Sequence, residues 1–108
     1  MTPRDKILQD VSYIAQSHNL SLKDLITDGK FRHIVKARNE AMWYVRENYD
    51  RSLTQIGQIF NMHHSNVLHA IGSHMFHNGI KHEWSDIYKR KVDINRERTR
   101  HRALIDAA

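Results

Sequence analysis

Apolar residues recur along this chain at steps of three and four, the spacing of one helical face rather than the alternation of a strand. Ile7, Val11, Ile14 and Ala15 make the first stripe, with Leu8 and Tyr13 beside it, and predict a helix from Pro3 to about Ser17. Proline suits a first helical position, and Thr2 with Asp5 three residues on can cap it. His18-Asn19 marks its end. Ser21-Leu22-Lys23-Asp24 repeats the capping pattern and opens a short helix with Leu22, Leu25 and Ile26 inward. Thr27-Asp28-Gly29-Lys30 then breaks the chain, with Gly29 the turn residue. The longest stripe, Phe31, Ile34, Val35, Ala41, Met42 and Val45, predicts a third helix from about Phe31 to Tyr49. Arg38 falls on or beside that stripe, and Trp43 and Tyr44 flank it.

Ser52-Leu53-Thr54-Gln55 is a third capping pattern, opening a short helix that buries Leu53, Ile56, Ile59 and Phe60. After a tight Asn61-Met62 connection, a helix from about His63 to Met75 turns Val67, Leu68 and Ile71 to the core, and His77-Asn78-Gly79 ends it. Beyond Ile80 the composition changes. Trp84, Ile87, Tyr88, Val92 and Ile94 fit one more amphipathic helix, whereas Arg96 to Arg102 have little to bury. The tail is expected to dock near Trp84 and Tyr88 and then fray. The pattern therefore predicts an all-α fold, a small helical helix-turn-helix domain over 1–79 with a basic helical tail over 80–108, and no internal repeat.

Composition narrows this picture. The 108 residues suit one compact domain with a modest core. With no cysteine, neither disulfides nor a thiolate zinc site can hold it together. No apolar run approaches the roughly 18 residues of a membrane span, and the N-terminus lacks a secretory pattern. The expectation is a cytoplasmic, nucleoid-associated protein with no membrane partner. A formal net charge of +5 favours polyanionic partners.

Residues 52–76 sharpen that preference. Two short helices, a tight connection and polar residues opening the second helix make a helix-turn-helix pattern. Gly57 suits a close approach of the two helices, and Val67 and Ile71 would lock against Ile56 and Phe60. That leaves His63, His64, Ser65, Asn66 and His69 outside, where Asn pairs with adenine, Ser bonds to donor or acceptor, and His donates to guanine or phosphate.

Three blocks in order then carry a specific resemblance: Arg32-His-Ile-Val-Lys-Ala-Arg38 with Ala41-Met42; Ser52-Leu53 with Ile56-Gly57 and Phe60; and His64-Ser-Asn-Val-Leu-His-Ala70. Over about Ile7 to His74 the chain resembles the C-terminal DNA-binding domain of the bacterial replication initiator DnaA, a Trp-repressor-like helix-turn-helix fold. The resemblance implies a docking mode on double-stranded DNA. Lys30 and Arg32 occupy the basic loop that reaches the minor groove. Arg38, Asn39 and Arg46 match positions on the long helix that touch the DNA, mostly its backbone. Ser52 and Thr54 sit where the first helix of the motif meets phosphate. His63-His64-Ser65-Asn66-Val67 occupies the base-reading Asp-His-Thr-Thr-Val stretch, and His69 matches a further contact. The chain also departs from the family. A Gly-Gly-Arg turn is shortened to Asn61-Met62, His63 replaces an aspartate, and Asn66 replaces a threonine. Each altered contact carries about 1–3 kcal/mol of discrimination, so the docking mode transfers and the initiator's usual DNA box does not.

No G-x-x-x-x-G-K-[ST] loop and no room for an ATPase are present, which points to a free-standing relative of the module. It would act in replication initiation or transcription, with replication or transcription proteins as further partners. The alternative is a protein-interaction adaptor using Trp43, Tyr44 or the Trp84 helix. The Trp84, Ile87, Tyr88, Val92 stripe is expected either to pair with its copy in a homodimer or to fold back on its own core, with the Arg96 to Arg102 segment merely adding charge. No enzyme activity, cofactor or metal is expected. His64, His69, His74 and His77 do not fall three to a helical face, and adjacent His64-Ser65 point about 100° apart.

Overall fold

Serine and threonine caps decide where the helices begin. A computed structural model describes residues 2–27 and 29–107, with the backbone alone for 101 and 103–107. Thr2 and Asp5 form a reciprocal capping box at the start of α1 (Pro3–Ser17). Ser21 and Asp24 do the same for α2 (Leu22–Ile26), and Ser52 and Gln55 for α4 (Leu53–Phe60). Each box satisfies two backbone donors that a helix start leaves free. Hydrogen bonds from Thr2, side chain first and backbone second, hold the Asp5 carboxyl below its ordinary range. The Ser21 backbone and then its hydroxyl do the same for Asp24. Asp28, in the expected break after α2, lies outside the described residues.

The long α3 (Arg32–Asn48) runs through the middle and packs against α1, α2, α4 and α5 (His64–His77). One core joins Ile7, Val11 and Ala15 of α1, Leu25 of α2, and Ala37, Ala41, Met42 and Val45 of α3 to Ile56 and Phe60 of α4 and Val67, Ala70, Ile71 and Met75 of α5. Two polar ties fasten α1 from outside. His18 Nε2 meets Glu40 Oε2 at 2.5 Å, and the Tyr49 hydroxyl donates to Asp10. That bond, more than any other influence, pushes the Tyr49 phenol up to about 12. Trp43 lies on His74 with ring centroids 4.8 Å apart, and burial pushes the His74 imidazole down.

Three expectations need correction. Phe31 is not on the buried stripe. The helix begins one residue later, Phe31 is its extended N-cap, and the ring is 70% exposed beside His33. Leu68 is only half-buried, because Val67 and Ile71 hold the centre of the inner face. The tail is helical beyond its docked part: α6 runs unbroken over Glu83–Ala107, about 37 Å at 1.5 Å per residue. No glycine or proline follows Gly79, and Arg, Glu, Lys and Ala carry the helix onward without a core to cover.

The first turns of α6 belong to the packed body. Its start is closed by His82 and Ser85, whose Oγ accepts from the His82 backbone N–H at 3.0 Å and donates to the His82 carbonyl at 2.7 Å. Trp84 packs on the core, and Tyr88 lies against Phe76 and His77 of α5. Gly72 permits this contact: a Cβ there would stand 2.4 Å from the Trp84 carbonyl oxygen. The residues expected to pair with a second copy, Trp84 and Tyr88, are thus engaged within the chain. From Asp93 onward every side chain described is exposed, and the molecule measures 62 × 27 × 24 Å.

Candidate nucleic-acid interface

The turn between α4 and α5 is set by two residues. Asn61 takes the left-handed conformation (φ 56°), which asparagine tolerates better than most side chains. The chain then doubles back so tightly that Met62 N–H donates to the Gly57 carbonyl at 2.8 Å. A Cβ on Gly57 would lie 2.3 Å from the Met62 carbonyl oxygen, so only glycine fits. Val67, one turn into α5, packs on the same spot. The shortened connection therefore still closes a helix-turn-helix, with Ile56 and Phe60 buried against Val67 and Ile71 as the sequence implies.

His63 is the N-cap of α5 rather than its first helical residue. Its Nδ1 accepts from the Ser65 backbone N–H at 3.3 Å and lies 2.8 Å from Ser65 Oγ, while its ring lies tilted against that of His64 with centroids 4.1 Å apart. A cap made by imidazole leaves His64, Ser65 and Asn66 exposed on the first turn of α5. Thr54, Gln58 and Asn61 join His63 and His64 around one shallow depression at the mouth of the motif. Here the positive end of the α5 dipole favours an anion.

The other candidate residues are distributed differently. Ser52 is committed to its capping box. Lys30 and Arg32 are exposed on the loop before α3 and its first turn, and Asn39 is half-buried. Arg46 is exposed, yet its guanidinium lies 5.2 Å from the Trp84 ring centroid and donates to the Arg51 carbonyl at 2.7 Å. Arg38 is 6% exposed and lies in the body. Its Nε donates to the Leu25 carbonyl at 2.8 Å, and one Nη donates to the carbonyls of Thr27 (2.7 Å) and Gly29 (3.0 Å). Arg38 therefore holds the loop that carries Lys30 and Arg32, an internal role that corrects its expected place on the DNA-facing surface. The signal was in the sequence, since Arg38 is in phase with Ile34, Ala41 and Val45.

His69, one turn beyond His64, Ser65 and Asn66, is separated from them. It lines a groove between α5 and α6 with Ile87, Arg90, Lys91, Ile94, Asn95 and Arg98. Its Nδ1 is buried with no hydrogen-bond partner among the described residues. The cations of this groove were missed from sequence, where the tail offered only a basic composition. Among the described residues no group of three or more His, Cys, Asp or Glu could hold a metal ion, and no helix is long and apolar enough to cross a membrane.

Comparison with known proteins agrees with this architecture. The chain is similar to the chromosomal replication initiator protein DnaA of Deinococcus deserti, 38% identical over 65 residues, which cover 59% of this chain and 14% of that protein. It is 39% identical over 59 residues to that of Brucella abortus, covering 54% and 12%. For Streptococcus thermophilus the identity is 37% over 65 residues, covering 58% and 14%. The matched part is thus about one-seventh or less of the length of these relatives. No solved structure matches the chain significantly. Residues 6–73 match the family described as the bacterial dnaA protein helix-turn-helix, leaving α6 outside the match. A match over more than half of the chain, from α1 into α5, makes it a member of the bacterial DnaA helix-turn-helix family.

Proposed function

We propose that this chain binds double-stranded DNA in a sequence-specific way, with the first turn of α5 in the major groove and the Lys30–Arg32 loop at the adjacent minor groove. Family membership implies DNA binding. The observation that carries the finer reading is the exposed His64-Ser65-Asn66 turn, held out by the Gly57–Met62 contact and capped by His63. Asn66 reads a base edge, and His64 and Ser65 supply further polar contacts. Arg32 inserts its guanidinium where the minor groove is narrow and its potential most negative. The named relatives are replication initiators, and control of replication initiation or of transcription is the role we assign to binding.

Selection of bound duplexes from a random pool tests this directly. A single preferred motif is the expected result. Asn66→Ala then relaxes one position of that motif by about 1–3 kcal/mol, whereas Arg32→Ala weakens binding to most sequences and erodes A·T preference beside the site. An unselective pool, or the same uniform loss in both variants, would remove the assignment. The adaptor reading has less support, because Trp43 is packed on His74 and Trp84 on the core. A homodimer through the tail would have to use Ile94, which is 49% exposed, rather than Trp84 and Tyr88; sedimentation of the full chain decides it.

A further inference from the structure

The direction of α6 follows from its contacts. Gly72, in the second half of α5, meets Trp84 and Tyr88, whereas His69, three residues earlier, shares a groove with residues as far along as Asn95 and Arg98. Moving forward along α6 is therefore moving backward along α5, toward the turn that carries His64, Ser65 and Asn66. The groove residues Ile87, Arg90, Lys91, Ile94, Asn95 and Arg98 are spaced three, one, three, one and three apart, a single face of the helix. That face interleaves apolar Ile87 and Ile94 with the cations Arg90, Lys91 and Arg98 as it runs toward the first turn of α5.

Charge is concentrated in the same place. Residues 89–102 hold seven Lys or Arg against two Asp or Glu, a net of +5, which is the whole formal charge of the protein; elsewhere ten basic and ten acidic residues balance. Lys89, Arg90, Lys91, Arg96, Arg98, Arg100 and Arg102 are all exposed. Keeping seven extended cations on an otherwise uncovered helix contributes little to stability of the fold, since exposed charges and helix propensity add only tenths of a kcal/mol each.

We propose that α6 from Lys89 onward is a second DNA-contacting arm, whose inner face (Arg90, Lys91 and Arg98) binds the phosphate backbone of the duplex that the first turn of α5 reads. The arm rests on the DNA-binding reading above and adds to it a contact outside the family match. It supplies surface that a lone helix-turn-helix lacks, and its contribution is phosphate-directed, so it raises affinity for all sequences alike.

Two triple variants of equal charge separate this from a diffuse basic tail. Arg90→Gln, Lys91→Gln and Arg98→Gln empty the inner face. Lys89→Gln, Arg96→Gln and Arg100→Gln empty the face on the other side of the helix, and both sets are exposed. Binding to a random duplex of about 30 base pairs, roughly three turns, is measured across salt concentration. The inner-face triple is expected to reduce the magnitude of the log–log slope by about 2.7 (about 0.9 per phosphate) and affinity near 0.1 M salt by roughly 100-fold. The outer-face triple is expected to reduce the slope by less than about 1. Arg90→Lys with Arg98→Lys should keep the slope, because a point charge suffices for phosphate. If either triple loses helix content by circular dichroism, its single substitutions replace it, each inner one expected to lower the slope by about 0.9. Equal effects of the two faces overturn the arm, as does an unchanged slope in a chain that still binds duplex, the result expected if α6 instead meets an acidic protein surface. Absence of duplex binding in the unaltered chain overturns the DNA-binding reading itself, and the arm with it.

Discussion

Arg38 shows how one side chain links the core to the interface. An arginine at a buried helical position must satisfy its donors, and here three backbone carbonyls, of Leu25 in α2 and of Thr27 and Gly29 beyond it, accept from it. Hydrogen bonds to a charged group contribute about 1.5–3 kcal/mol each, less desolvation. Arg38→Met is expected to lower unfolding free energy by about 2–4 kcal/mol in urea titrations. Arg38→Lys should recover only part of that, since ammonium cannot span the three acceptors as a planar fork does. Tyr49 gives a pH-dependent counterpart. Its hydroxyl donates to the Asp10 carboxylate, and its pKa stands at about 12 against an ordinary 10.0. A raised folded-state value means that the native state holds the proton more tightly, so the stabilisation is complete below about pH 10 and is lost as pH rises toward 12. Tyr49→Phe is expected to cost about 0.5–1.5 kcal/mol at neutral pH. It should also flatten thermal stability across that alkaline window; an unchanged alkaline slope would refute the tie.

Two glycines govern how the elements meet, with separable consequences. Gly57 lets α4 and α5 close, and Gly72 lets α6 dock on α5. In both positions a Cβ would meet a backbone carbonyl oxygen that cannot swing aside. Gly57→Ala is expected to destabilise the body by about 1–3 kcal/mol, on the order of other overpacked sites, and to displace the first turn of α5. Gly72→Ala should instead lift α6 while leaving the cooperative unfolding of the body largely intact. Amide hydrogen exchange distinguishes them: protection lost in α4 and α5 for the first, and in the proximal turns of α6 for the second. Equal protection loss throughout the chain in both variants would contradict this division.

At this same scale the sequence was most legible. The three capping boxes and the Ile7-Val11-Ala15, Ala41-Met42-Val45 and Val67-Ile71 stripes mark helices directly, because cap chemistry and the 3.6-residue period are local. Phe31 was misplaced because an apolar residue just before a helix keeps the stripe's phase without sharing its backbone. Arg38 and the α6 groove were less legible for another reason. Phase with Ile34, Ala41 and Val45 turns Arg38 inward, but which carbonyls receive such a cation, or whether one extends along a neighbouring helix, depends on which elements pack together, and spacing along one helix does not contain that.

For the whole molecule, the division of charge matters more than its total. A neutral helical body presents the polar first turn of α5, and a basic helix runs back toward it. Lys30, Arg32 and Lys36 on the body and Arg90, Lys91 and Arg98 on the arm offer six exposed cations for phosphate. The measurement that tests this account most directly is duplex affinity as a function of salt for the full chain. Neutralising about six phosphates gives a log–log slope between about −4 and −6, and that steep loss of binding is the expected result. A flat dependence, or no binding to duplex DNA at low salt, would contradict the claim that this helix-turn-helix protein works on DNA.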